Sequence, residues 1–244
     1  NDKNGYFTLD AVHPNRNADW INAYNDYPPG TGYQYCNLNY NLAGAILERT
    51  TGERFDQYVC RQILRPLGLY GGYNVDDLDR NRFVTLYTYQ PDSGKYIASP
   101  AAYRSTADAL ANYVYGYSTP VFSPTGGMKL SAKDLARYMI MHMQEGQYRD
   151  KRLLSAESAL EMRTPVADST QYGLALMTKD DLIQGEVMVG HTGSAYGLNS
   201  AMFFHPQRRF GFVLILNGCR TTYTNGFPDI HEELINCLYQ HFVL

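Results

Sequence analysis

The period of the apolar residues changes at Pro165, and that change constrains the fold more than anything else in the chain. Before it, apolar side chains recur every three or four positions. After it they gather in short runs: YGLALM at 172–177, EVMVG at 186–190, SAMFFH at 200–205 and FGFVLIL at 210–216. Gly, Pro or Asp separates the runs, and HPQRRFG between the last two reads as a hairpin turn. From Asp229 to about Phe242 the helical period returns, with Ile230, Leu234, Leu238 and Phe242 on one stripe. Short strands joined by tight turns make an antiparallel sheet, and the helix after them can cover one face of it. Helices fill the middle of the chain, so the expected class is α+β.

The helical stretch has its own punctuation. The first 34 residues look like loop, with HPNRN and PPGTG. Leu38, Leu42 and Ile46 then recur every four residues, with Leu47 beside them, and Gly52 is placed to end that helix. Phe55, Val59 and Ile63 share a face before Pro66 stops a second helix. Another is expected around Thr106–Val114. Ser131 and Asp134 form a capping box for a helix whose inner face is Leu135, Tyr138, Met139 and His142, closed by Gly146. His142 is expected to be a satisfied histidine at the core edge. A short helix starts near Ser155. One domain is expected over 1–244, with its helical region at about 33–165 and its sheet and terminal helix at about 166–244.

Composition narrows the function classes. The chain has 244 residues, 44% hydrophobic and 18% charged, with a formal net charge of −3. Nothing in that balance suggests nucleic acid or an anionic membrane as partner. No apolar run approaches the length of a membrane span. The opening NDKNGYFTLD is polar and does not read as a signal peptide. The 22 tyrosines suit the edges of a core or a wet cleft. Cys36, Cys60, Cys219 and Cys237 fit no CxxC pattern. Cys219 and Cys237 could meet, but free and mostly buried thiols are expected in a chain this long.

Few residues have an arrangement suited to chemistry. Tyr35 and Asn37, two apart at the mouth of a helix, would supply a proton-transfer group and an amide. Asn37 is equally readable as a helix N-cap, and Tyr223-Thr224-Asn225 repeats the pattern. Cys36 alternates with its neighbours and should face packing. His191-Thr192-Gly193 supplies a ring that can carry charge, a hydroxyl, and a backbone that a ligand can approach closely. A strand ending in a glycine turn would look the same. Gly126-Gly127 serves either a cleft or a turn into the next helix. His13, His205, His231 and His241 lack metal-ligand spacing, so no metal site is expected.

Taken in order, four blocks resemble the serine β-lactamase and penicillin-binding-protein family, on its class C β-lactamase, D-peptidase and esterase side. They are PPGTGYQYCNLNYNLAGAILERTTGERFDQYV, LRPLGL, FSPTGGMKLSAKDLARYM and VGHTGSAYGLNSAMFFHPQRRFGFVLILNG. The likeness runs from about Tyr27 to the C-terminus. It implies a β-lactamase/transpeptidase-like fold and acyl transfer through a serine, with no cofactor. It gives Tyr35 the role of proton shuttle, which needs a nearby cation to favour phenolate. Asn37 would orient substrate. His191, Thr192 and Gly193 match the K-T-G element, and the Ser194 amide would be one arm of the oxyanion hole. With histidine for lysine, ester or D-peptide hydrolysis is expected to exceed β-lactam turnover. The family also implies work outside the cytoplasm on cell-wall material.

One element is absent. No serine has lysine three residues later, and Ser131-Ala132-Lys133 is one short. The chain alone is therefore expected to be inactive. Either it is the C-terminal portion of a longer hydrolase, its sheet lacking the first strands, or it is a relative that binds peptidoglycan peptide or β-lactam without turnover. The fragment reading expects an open edge on the strand at 210–216, paired by the upstream segment or another copy. The partner in either case is a small molecule or peptide.

Overall fold

The computed structural model describes residues 12–167 and 170–244. They form two compact units, interleaved along the chain. The first runs up to Arg82 and adds Arg104–Leu130, and the second comprises Phe83–Tyr103 and Ser131–Leu244. The stretch before residue 166 is thus shared between the units, with Phe83–Tyr103 and the residues from Ser131 onward in the second. No helix among the described residues is long and apolar enough to cross a membrane.

In the first unit, helix α1 spans Asn37–Thr51 and ends on Gly52, whose φ of 68° suits glycine. Its buried face is not the leucine stripe. Asn41, Gly44, Ala45 and Glu48 are buried, while Ile46 is exposed. The reason is what packs there. A side chain at Gly44 would stand 2.7 Å from the Pro124 ring. The Glu48 carboxylate is fully enclosed and accepts four hydrogen bonds: from the Phe55 amide (2.8 Å), the Tyr113 hydroxyl (2.5 Å), the Gly116 amide (2.8 Å) and the Thr119 hydroxyl (2.7 Å). Helix α2, Phe55–Val59, continues through a π-helical turn, Cys60–Leu64, towards Pro66. The helix expected at 106–114 is a single turn, Ala107–Leu110.

The second unit is a sheet with a helix on each face. It opens with a hairpin, β1 (Tyr87–Gln90) and β2 (Lys95–Ala98). Helix α3, Ala132–Met143, starts on Ser131, whose hydroxyl accepts from the Asp134 amide at 3.1 Å. Helix α4 is Ala156–Arg163, capped by Ser155. Strands β3 (Met177–Ile183), β4 (Glu186–Ala195), β5 (Leu198–Phe204) and β6 (Gly211–Asn217) follow, all antiparallel in the order β6-β5-β4-β3. Helix α5, Asp229–Phe242, closes the chain.

Alternation along the strands sorts the core. Ala201 and Phe203 of β5, Met188 of β4 and Phe212 and Leu214 of β6 pack with Ile235 and Tyr239 of α5. Met202, Phe204 and Val189 face the other way, onto Met139 and Met143 of α3. A sheet covered on both faces explains why these strands read as unbroken apolar runs. The first strand lies later than expected, because Tyr172–Leu176 turn and MTKDDLI pairs instead, with an irregularity between Lys179 and Ile183. Charge and irregularity suit a strand at the sheet's margin and hide it from an apolar-run reading. Strand β6 ends the sheet on the other side, with β5 its one partner strand among the described residues.

Three further expectations are corrected. On α5 the buried stripe is His231, Ile235 and Tyr239, and Phe242 lies 81% exposed. The four cysteines are free, but none is buried. His142 is buried between Tyr138 and Phe204, yet its Nδ1 has no partner. Burial, helped by the Arg163 charge, lowers its pKa to about 4. Above pH 6.5 both folded and unfolded chains hold it neutral. Below that, the unfolded chain takes a proton that the folded one refuses until about pH 4. Stability should therefore fall by about 2 kcal/mol from this residue alone between pH 7 and pH 5. Urea midpoints at the two pH values should show the drop, and His142→Leu should shrink it.

Candidate active site

Tyr35 and Asn37 lie where the loop enters α1. A side chain at Gly32 would meet the Tyr27 ring at 2.7 Å, so glycine lets the PPGTG loop close on that ring. Cys36 occupies the N-cap position in extended conformation, without a side-chain cap, and Asn37 is the first helical residue. The N-cap reading of Asn37 is thus corrected. Tyr35 and Asn37 are exposed and Cys36 half-buried, as their alternation predicts. The Tyr35 phenol is held above its ordinary pKa, first by partial burial and then by Tyr40. Without an added cation it is a proton donor rather than a base.

Nearby in sequence to the glycine pair, Lys129 donates to the Gly127 carbonyl at 2.6 Å, and burial lowers its pKa. Sequence reading passed over it; a lysine two residues beyond Gly127 was the available signal. Gly127 itself serves a turn, for a side chain there would stand 2.2 Å from the Phe122 carbonyl.

His191, Thr192, Gly193 and Ser194 are consecutive in β4. They are strand rather than turn; the chain reverses two residues later at Tyr196-Gly197. They stand opposite Met202, Ala201, Ser200 and Asn199 of β5. On the other side the ladder to β3 ends at the Met177–Gly190 pair. Ser194 is exposed, and the three residues before it are half-buried. Alternation puts His191 on the Val189 face, where the Tyr172 ring meets it edge-on at 5.7 Å. Its Nδ1 contacts the Thr192 carbonyl. Burial lowers its pKa, with that contact acting the opposite way, so the ring is neutral at pH 7. Glycine at 193 is not demanded by packing, since an added methyl would meet only the movable Ser200 hydroxyl at 2.7 Å. The six residues thus fall into two groups, Tyr35 with Asn37 in the first unit and His191–Ser194 in the second.

The family model described as Beta-lactamase matches residues 15–229. This chain belongs to the beta-lactamase family. Among curated relatives, this beta-lactamase-family chain is 27% identical over 221 residues to penicillin-binding protein 4 of Amycolatopsis lactamdurans, covering 86% of this chain and 53% of that protein. It is 22% identical over 200 residues to Protein flp of Staphylococcus aureus (strain MW2), covering 78% and 34%. The chain thus spans about half or less of the length of these relatives. Among solved structures it resembles the octameric penicillin-binding protein homologue from Pyrococcus abyssi, with a TM-score of 0.65, 21% identity, and 94% of this chain and 48% of that one covered. It also resembles the D-amino acid amidase from Ochrobactrum anthropi SV3 complexed with D-phenylalanine, with a TM-score of 0.62, 17% identity, and 93% and 63% covered. The fold is the β-lactamase/transpeptidase type that the sequence led us to expect.

Proposed function

We propose that this chain supplies the tyrosine and strand elements of a serine acyl-transfer hydrolase acting on an ester, a D-amino-acid peptide or amide, or a β-lactam. The Beta-lactamase match over residues 15–229 carries this reading. The names of the amidase and penicillin-binding relatives support the substrate classes. In this reading a serine from an upstream S-x-x-K segment attacks the acyl carbonyl. The carbonyl oxygen takes the charge, and the Ser194 amide donates to it. Tyr35 relays the serine proton to the leaving group as the old acyl bond breaks. Water then attacks the acyl-serine, releasing acid and free serine. Tyr35 needs a cation to act as base, and burial with Tyr40 pushes it the other way. The lysine of S-x-x-K is the group that would correct this. Asn37 and Thr192 would hold substrate, and Gly193 would let it approach the strand.

The test is the coding sequence on the N-terminal side of Asn1, followed by acylation of the full protein with a penicillin or an activated ester. We expect an in-frame S-x-x-K, a mass increase on its serine, and a Tyr35→Phe variant slowed about 100-fold or more in single-turnover acylation. An upstream sequence without S-x-x-K would overturn the hydrolase reading in favour of a relative that binds without turnover.

A further inference from the structure

The turn between β5 and β6 closes around a histidine that has room for only one ring hydrogen. His205, the residue after β5, is buried. Its Nδ1 accepts two backbone hydrogen bonds, from the Gln207 amide at 3.1 Å and the Arg208 amide at 3.0 Å. Both donors are N–H groups, so Nδ1 presents a lone pair and the ring hydrogen sits on Nε2. Nε2 faces the buried Glu186 carboxylate, at the start of β4, at 3.1 Å. The backbone closes the same loop, because the His205 amide donates to the Phe210 carbonyl at 2.8 Å.

The charged and titratable groups around this ring already have partners in one another. The second Glu186 oxygen accepts from the Tyr239 hydroxyl of α5 at 2.6 Å and from the Arg208 guanidinium. Arg208 also donates to the Tyr239 hydroxyl at 3.2 Å and lies over the Phe210 ring at 5.3 Å. That ring stands 5.4 Å from both His205 and Tyr239. Arg209, the turn's remaining charge, is exposed. Arg208 therefore answers the Glu186 charge without help from the imidazole. A second ring proton would have to enter at Nδ1, where two N–H groups already point. The closed turn admits the neutral ring alone, whereas an opened turn lets it titrate near its ordinary pKa of about 6.5. Burial acts in the same direction and lowers the His205 pKa, with its own backbone acting the opposite way. Below pH 6.5 the proton thus favours the open turn.

We propose that His205 is an acid-released latch: a proton taken up at Nδ1 frees the Gln207 and Arg208 amides and opens the turn that leads into β6. The latch lies at the opposite end of β5 from the Ser194–Asn199 pair, and it does not depend on the acyl-transfer reading. The test is hydrogen–deuterium exchange of the two amides at pH 7 and pH 5, each corrected for its intrinsic rate. Protection should fall about 25-fold, the gain in opening for a group of pKa about 6.5 that titrates only when released. His205→Asn keeps an acceptor for the amide two residues on and cannot titrate, so its protection should change by less than about threefold. Nitrogen NMR of the unaltered chain gives a readout that needs no substitution. The ring should carry its hydrogen on Nε2 at pH 7 and gain the second only as the two amides lose protection. Equal protection at both pH values, the full loss retained in His205→Asn, or a ring hydrogen on Nδ1 at pH 7 would overturn the latch.

Discussion

Replacing Glu48 with alanine is expected to cost about 4 kcal/mol of stability or more. Each of its two carboxylate oxygens accepts two bonds: the Phe55 amide and Tyr113 hydroxyl on one, the Gly116 amide and Thr119 hydroxyl on the other. Deleting the group strands four donors away from water, and each stranded donor costs about 1–3 kcal/mol. The damage should spread, because these bonds tie α1 to the start of α2 and to the 113–119 segment. Tyr35 and Asn37 stand at the head of α1, so their placement depends on the same contacts. Urea unfolding should show the loss, with Tyr113→Phe, which removes one donor of the four, costing only about 1 kcal/mol. An alanine variant within about 1 kcal/mol of the parent would mean that water replaces the carboxylate.

A methyl at position 190 is expected to cost about 3 kcal/mol, although glycine to alanine in a strand normally helps. Gly190 sits opposite Phe203, and a side chain there would begin 1.9 Å from the Met202 carbonyl oxygen and 2.7 Å from the Phe203 Cα. Both are backbone atoms, so β4 and β5 would have to move apart at the residue before His191. Gly193→Ala is the companion measurement. Its only obstacle is the Ser200 hydroxyl, so its melting temperature should stay close to the parent's while ligand binding suffers. If the two variants were destabilised equally, crowding would not be what sets them apart.

Much of this fold was legible where the signal is local. Gly52 ends α1 and the Ser131–Asp134 box starts α3, because caps act within one turn. The bounds of α5 followed from its period. What escaped depends on distant partners. The leucine stripe of α1 promised a buried face, but four donors around Glu48 and the Pro124 ring against Gly44 put the adjoining face inside and leave the leucines half-buried. The hairpin at 87–98 has no apolar alternation to announce it, and its hold on the sheet comes through Asn217, 130 residues from Tyr87. Among candidate site residues, the environment was not readable. The lowered pKa of His191 comes from burial beside Tyr172, and the raised one of Tyr35 from burial and Tyr40.

The reversal at Tyr196-Gly197 carries a further consequence. Strand β5 is apolar towards both helices, so sliding it one residue along β4 would bury nearly as much surface as the native pairing. Hydrophobicity is therefore indifferent to which neighbour His191 or Ser194 receives. Two local features break the tie. One is the close approach at Gly190, which a slide would fill with valine or histidine. The other is the loop itself, where φ is 54° at Tyr196 and 80° at Gly197. Two successive positive φ angles match the twist of a two-residue hairpin and fix which residues face each other. Tyrosine accepts that conformation at a cost of about 1 kcal/mol, which is the energy set aside for precision rather than stability. The direction of the Ser194 amide is thus written in the backbone angles of a surface loop, out of reach of the core.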